Sequence, residues 1–198
     1  MRKRLEERFK KVKVYLDVTH ARGVARRYFV MNGFDGSMTM IGIVVGSWVA
    51  GITEAGIIIA TGLGACLAMG ISGFFGAYMA ETAERKGITK TLETMLNQPD
   101  PIHYEASRFV PVYVALIDGL SPTLTAIVSL VPFILARIRL LSIGNAYIIS
   151  FALTIAILFS LGVYLGKIAK ERIWLYGAQM GAVGITTAII IFLLEMTI

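Results

Sequence analysis

Long uncharged runs alternate with short charged segments along the whole chain. The runs comprise residues 36–53, 55–80, 109–136, 140–166 and 173–194, and only the third contains a charged residue, Asp118. Each run approaches or exceeds the ~20 apolar residues that a helix needs to cross a bilayer. Because these stretches are apolar on all sides, they differ from the one-sided helices of a soluble protein. The pattern predicts an all-α integral membrane protein with five transmembrane helices, the first of which begins before Gly36.

The segment before the first span has a different pattern. Leu5, Phe9, Val12 and Leu16 fall on one helical stripe, and basic residues surround it. This arrangement is typical of an amphipathic helix that lies on the inner membrane surface, and it is not the pattern of a signal peptide. We therefore expect a basic amphipathic helix over residues 1–27 and a five-span membrane domain over residues 28–198, with a cytoplasmic segment at about 81–108.

Charge predicts the orientation of the spans. The chain has 198 residues, of which 56% are hydrophobic and 16% charged, with a mean hydropathy of +0.72 and a net charge of +6. All Lys and Arg residues except Arg137 and Arg139 lie before span one, between spans two and three, or after span four. The positive-inside rule places these segments and the N-terminus in the cytoplasm, and the C-terminus outside a membrane that we expect to be the cell membrane. The positive charge then reflects topology and attraction to anionic lipid, and nucleic-acid binding is not expected.

Small residues recur at every fourth position along span two. They form a ridge of Ala60, Gly64, Ala68, Ser72, Gly76 and Ala80. Such a ridge lets two helix backbones approach closely in lipid. The partner is either span one or the same helix of a second subunit.

One acid lies just inside span one. Asp35 is flanked by Gly33 and Gly36 within an apolar stretch. A carboxylate in hydrocarbon costs at least a few kcal/mol, so a membrane helix that retains one uses it for an ion, a proton or a partner charge. The alternative is that Asp35 reaches headgroup water or pairs with Arg26 or Arg27.

A second acid, Asp118, enters span three from the same side. The pair Asp118-Gly119 repeats Asp35-Gly36, and polar residues follow both pairs. If the two carboxylates converge, they cannot both stay ionised without a cation or proton between them. This property is a physical basis for exchanging metal for protons. The alternative is a chance match in a glycine-rich apolar sequence.

Further candidate metal ligands flank these acids. The full set consists of Asp35, Asp118, Met38 and Met69 in the membrane, Glu81 and Glu84 at its surface, and Glu93, His103 and Glu105 in the cytoplasmic loop. Oxygen, imidazole and thioether donors together favour Fe, Mn or Zn over Mg or Ca. Alternatively, the methionines serve only in packing, and Glu81 and Glu84 pair with Arg85 and Lys86.

These motifs resemble those of the vacuolar iron transporter family. The resemblance is found in residues 32–36 (NGFDG), 42–46 (GIVVG), 69–78 (MGISGFFGAY) and 130–133 (LVPF). It implies a five-span homodimer that exports cytosolic Fe²⁺ or Mn²⁺ in exchange for protons, through a pathway between the first two spans at the dimer interface. It also implies that Asp35 is the acid of span one, that no cofactor is tightly bound, and that the protein is not an enzyme.

The chain departs from the family pattern at three points. Gly73 replaces a membrane methionine, Ala77 replaces a glutamate, and the cytoplasmic segment is shorter than the Glu-rich insertion of iron transporters. Met69 and Glu81 lie one helical turn away on the same faces, so we expect them to replace the missing ligands.

Two functions are the alternatives to metal transport. They are a non-transporting scaffold or assembly protein on a transporter-like frame, and a membrane-integral enzyme. Asp-Gly pairs in membrane spans resemble those of phospholipid head-group transferases, but these enzymes need the motif Asp-Gly-x-x-Ala-Arg. Neither Asp-Gly pair of this chain continues in that way.

Overall fold

The structure is a computed structural model, and it describes residues 12–97, 101–195 and 197. A short helix, α1, covers residues 12–18 and precedes five long helices: α2 (Ala21–Val49), α3 (Ala55–Leu96), α4 (Pro101–Arg137), α5 (Ile143–Ala169) and α6 (Ile173–Glu195). The fold is about 91% helical, and the described residues contain no strand. All five long helices are apolar and long enough to cross a membrane. The predicted fold, with five spans after an N-terminal helix, is thus confirmed.

The N-terminal helix is separated from the first span by a sharp break. His20 adopts a left-handed conformation with φ of +52°, and α2 begins at the next residue. Residues 21–27, which the sequence assigned to the amphipathic helix, therefore belong to α2. Leu5 and Phe9 of the predicted apolar stripe lie outside the described residues.

Two helices extend well beyond the membrane. At about 1.5 Å per residue, the 42 residues of α3 and the 37 residues of α4 measure about 63 and 56 Å, whereas the hydrocarbon core is about 30 Å thick. The sequence predicted a loop that contains Glu93, His103 and Glu105, but Glu93 lies on α3 and the other two lie on α4. This difference arises because no proline interrupts α3 after it leaves the membrane, and the helix continues to Leu96, where Asn97 adopts a left-handed conformation with φ of +55°.

Internal contacts divide the chain into two compact units. As far as these ranges are described, the first unit comprises Met1–Phe29 and Ile71–Leu120, and the second comprises Val30–Gly70 and Ser121–Ile198. Each unit has its own apolar core. In the first unit, α1 and the start of α2 pack with residues of α3 and α4, and this cluster includes Leu16, Ala25, Ala77, Val110 and Val114.

The second unit is built around an apolar cluster supported by buried hydroxyl groups. The cluster includes Met40, Val44, Ile58, Phe133 and Tyr147. Next to it, the Ser150 hydroxyl donates to the Ser129 carbonyl at 2.6 Å, and the Thr154 hydroxyl contacts the Ser129 hydroxyl at 2.8 Å. Such bonds satisfy polar groups that have no water available inside a membrane protein.

Helices α5 and α6 approach closely enough for their backbones to touch. A β-carbon added at Gly162 would lie 2.7 Å from the Cα of Gly177 and would also collide with the Tyr176 carbonyl oxygen. The obstructing atoms belong to the backbone, so no side-chain rotation relieves the collision. In contrast, a β-carbon at Gly144, also on α5, meets no atom within 4 Å.

This contact predicts that Gly162→Ala destabilises the protein, whereas Gly144→Ala does not. Overpacking against backbone costs about 1–3 kcal/mol, which lowers the melting temperature by roughly 2–10 °C for a chain of this size. Alanine at Gly144 is expected to be neutral or slightly stabilising because it favours the helix. Thermal unfolding in detergent measures both variants. Equal melting temperatures for the two would contradict the close α5–α6 packing.

Candidate functional site

The turn of α2 that carries Asp35 packs against α4 through two glycines. A β-carbon at Gly36 would lie 2.7 Å from the Cα of Pro122, and one at Gly33 would lie 2.9 Å from the Ser121 hydroxyl oxygen. These two glycines share one face of the helix because they are three residues apart. Asp35 falls on a different face and its side chain is exposed. The local sequence thus directs the carboxylate away from the core.

A hydroxyl and a thioether lie near this acid. The Thr39 hydroxyl, one turn along α2, bonds to the backbone carbonyl of Asp35 at 2.9 Å and lies 3.4 Å from the sulfur of Met69 on α3. Met69 is half-buried. Thr39 and Met69 are thus in contact, and the exposed Asp35 lies one turn from Thr39 on the same face of α2. We call these three residues the α2–α3 site.

Met38 has different surroundings. Its side chain is half-buried and packs against an apolar cluster formed by Ile41, Val45, Leu158 and Ala188. These contacts are those of a residue that serves in packing, which was the alternative for Met38. A ligand role for Met38 stays a prediction.

Asp118 occupies a buried position in the first unit. Its side chain is only 3% exposed. A β-carbon added at Gly73 of α3 would lie 3.1 Å from the carboxylate oxygen Oδ2 of Asp118. The carboxylate therefore occupies the space into which a side chain at position 73 would extend. Asp35 belongs to the second unit, and its convergence with Asp118 stays a prediction.

The two acids at the membrane surface differ in their partners. Glu81 is 2% exposed and forms an ion pair with Arg85, with 3.3 Å between Oε2 and Nη2. Arg85 also donates from Nη1 to the backbone carbonyl of Thr19 at 3.2 Å, just after α1. Glu84 is exposed. The sequence left two alternatives for Glu81, a metal ligand and an internal ion pair. The structure has the ion pair with Arg85, and a ligand role for Glu81 stays a prediction.

The three remaining candidates lie on the extensions of α3 and α4. Glu105 accepts a hydrogen bond from the Tyr15 hydroxyl, and this bond holds the pKa of Tyr15 above its ordinary value. Glu93 lines a cavity that also contains Lys86 and Lys90, and His103 is half-buried on α4. Among the described residues, no group of three or more His, Cys, Asp or Glu side chains is placed to hold a metal ion. A ligand role for these residues stays a prediction.

Two features of the site were missed from the sequence. Thr39 was not singled out, although its spacing of four from Asp35 places both residues on one helix face. Arg85 was considered only as a local partner of Glu81 and Glu84. Its bond to the Thr19 carbonyl joins residues 66 positions apart, which no local pattern signals.

Comparison with known proteins supports the family resemblance. The sequence model of the VIT family matches residues 89–195. In addition, an uncharacterized protein of Methanocaldococcus jannaschii is 37% identical over 174 residues, which cover 85% of this chain and 87% of that protein. The match to the family model confirms the resemblance to the vacuolar iron transporter family.

The contact between Asp118 and Gly73 predicts an energetic coupling. We expect Gly73→Met to lower the melting temperature by several degrees, because the new side chain must displace a buried carboxylate at a cost of about 1–3 kcal/mol. In the Asp118→Ala background, the same substitution should cost less than half as much. Gly87→Met on the same helix, where a β-carbon meets no atom within 4 Å, is the control. An identical loss with and without Asp118 would contradict the contact.

Proposed function

The chain belongs to the VIT family, whose members are membrane metal-ion transporters, and we propose that it moves cytosolic Fe²⁺ or Mn²⁺ across the membrane in exchange for protons. It is a multi-pass membrane protein. We further propose that it resides in the cell membrane, with its N-terminus in the cytoplasm and its C-terminus outside. The metal is the transported substrate, and no tightly bound cofactor is required.

The α2–α3 site is the observation that carries this proposal. Asp35 supplies a carboxylate, Thr39 a hydroxyl oxygen, and Met69 a thioether sulfur within 3.4 Å of that hydroxyl. Carboxylate oxygen alone suits Mg²⁺ and Ca²⁺, whereas a thioether is a soft ligand that these ions do not select. A mixed oxygen and sulfur set therefore favours Fe²⁺ and Mn²⁺ over Mg²⁺.

Carboxylates also provide the coupling to protons. A carboxyl group must lose its proton before it binds a metal, so metal binding releases protons and protonation releases metal. Asp35 and Asp118 are the acids within the membrane parts of α2 and α4. In our proposal, each acid alternates between two forms. In one form it is ionised, and a bound metal or another positive charge compensates it. In the other form it is protonated.

The small-residue ridge of α3 supports a homodimer. All six of its residues are exposed, namely Ala60, Gly64, Ala68, Ser72, Gly76 and Ala80. Added β-carbons at Gly64 and Gly76 meet no atom within 4 Å, so these two ridge glycines are not needed for packing within the described chain. We propose that the ridge packs against the same ridge of a second copy. Because Met69 adjoins the ridge, the α2–α3 site would then border the dimer interface.

Transport is tested by metal-dependent proton flux in proteoliposomes. A pH dye reports the flux while Fe²⁺, Mn²⁺, Co²⁺, Zn²⁺ and Mg²⁺ are supplied in turn. We expect flux with Fe²⁺ and Mn²⁺ but not with Mg²⁺, and a loss of more than tenfold in Asp35→Asn, because the neutral amide cannot exchange a proton for a metal.

Asp17→Asn is the matched control for this experiment. Asp17 is an exposed acid on α1 that pairs with Arg22 at 3.6 Å, outside the spans, so its loss should leave flux unchanged. If correctly inserted wild-type protein shows no flux with any ion, transport is refuted and the scaffold function becomes the better explanation. Unchanged flux in Asp35→Asn would remove this residue from the mechanism.

The dimer is tested by placing a bulky side chain on the ridge. Gly64→Leu and Gly76→Leu should shift the protein from dimer to monomer in size-exclusion chromatography with light scattering, because leucine separates the two backbones. Gly144→Leu on α5, also in open space, should remain dimeric. Retention of the dimer in both ridge variants would show that the interface lies elsewhere.

A further inference from the structure

A second candidate site lies in the first unit, between the extensions of α3 and α4. It is a cavity of about 810 Å³. Its lining includes three cations, Lys86, Lys90 and Arg108, and one acid, Glu93. Cations and a single carboxylate make this cavity unsuitable for a divalent metal ion and suitable for an anion.

The three cations have no acidic partner in the described part of the chain. Lys86, Lys90 and Arg108 are exposed, and none forms an ion pair with a described carboxylate. The Arg108 guanidinium lies over the ring of Tyr104, 5.7 Å from its centroid. This contact restricts the orientation of the guanidinium group, whose planar array of donors matches phosphate oxygens.

Thr82 adds an unused hydroxyl to the lining. The other four threonines of α3 each donate to the carbonyl one turn earlier: Thr61, Thr89, Thr91 and Thr94. The Thr82 hydroxyl oxygen is buried and has no hydrogen-bond partner in the structure as described. Leaving a buried hydroxyl unpaired costs about 1–3 kcal/mol. Thr82 is among the lining residues, so an oxygen atom of a ligand bound in the cavity is a candidate partner for this hydroxyl.

The end of the cavity nearest the apolar part of α3 corresponds to the headgroup layer of a membrane. The uncharged run of α3 ends at Ala80. Thr82 and Lys86 follow at about 3 and 9 Å along the helix axis. The polar layer on each side of the hydrocarbon core is roughly 5–8 Å thick, so Thr82 lies within the layer of the lipid phosphates and Lys86 lies at its outer edge.

We propose that this cavity binds a phosphate group, either that of an anionic phospholipid headgroup or that of a soluble phosphate compound. Lys86, Lys90 and Arg108 neutralise its charge, and the hydroxyl of Thr82 donates to one of its oxygens. Charge-assisted hydrogen bonds of this kind are about twice as strong as neutral ones. The bound phosphate would connect α3 to α4. This site is separate from the α2–α3 site and does not depend on transport.

The test measures lipid and phosphate binding to the full-length protein in a neutral detergent. Melting temperature is followed while phosphatidylglycerol or phosphatidylcholine is added, and an apparent Kd is obtained from the shift. A parallel arm adds glycerol 3-phosphate or inorganic phosphate, with chloride at matched ionic strength. The cavity variant is Lys86→Gln/Lys90→Gln/Arg108→Gln. Its matched control is Lys167→Gln/Lys170→Gln/Arg172→Gln, which likewise removes two lysines and one arginine, from the last turn of α5 and the turn that follows it.

We expect phosphatidylglycerol to bind wild type at least tenfold more tightly than phosphatidylcholine. The cavity variant should bind phosphatidylglycerol at least tenfold more weakly than wild type, and the control variant should stay within about twofold. If glycerol 3-phosphate binds wild type and the control variant but not the cavity variant, a soluble phosphate compound is sufficient as the ligand. If only the lipid binds in this way, the ligand is the phospholipid headgroup. Equal weakening in both variants would indicate general surface attraction and overturn the proposal, as would unchanged binding in the cavity variant.

Discussion

The close approach of α2 to α4 at Gly33 and Gly36 sets the geometry on which the candidate site depends. Side chains at these positions would collide with Ser121 and Pro122, so only glycine allows the two helices to touch there. The same contact fixes the rotation of α2 about its axis. It therefore leaves Asp35 exposed and brings Thr39, one turn further, to the sulfur of Met69 on α3. Packing at two glycines thus determines that the face of α2 that carries Asp35 is left exposed in the single chain.

Most of the fold was predictable because the bilayer imposes a length requirement on every span. Apolar runs of about 20 residues identified all five helices without any tertiary information. The ends of the helices that lie outside the membrane were less predictable. The prolines at 99 and 101 marked the region where a helix must stop, yet two signals for the extent of α3 were not used. Ile88, Leu92 and Met95 continue a helical period after Lys86, and Asn97, with φ of +55°, follows the last residue of the helix. The break at His20 was missed because histidine, although enriched among the few non-glycine residues with a positive φ, adopts that conformation too rarely to mark a helix end by itself.

The candidate site was predictable in its residue types but not in its partners. Sequence pattern singled out Asp35, Asp118 and Met69 because ionisable groups and thioethers stand out in apolar helices. Whether an acid on a helix surface is available to a metal depends on contacts that are distant in sequence. Glu105 accepts from Tyr15, 90 residues away, and the pair of Glu81 with Arg85 is reinforced by the Thr19 carbonyl. Such contacts follow from the packing of α1, which spacing along the chain does not reveal.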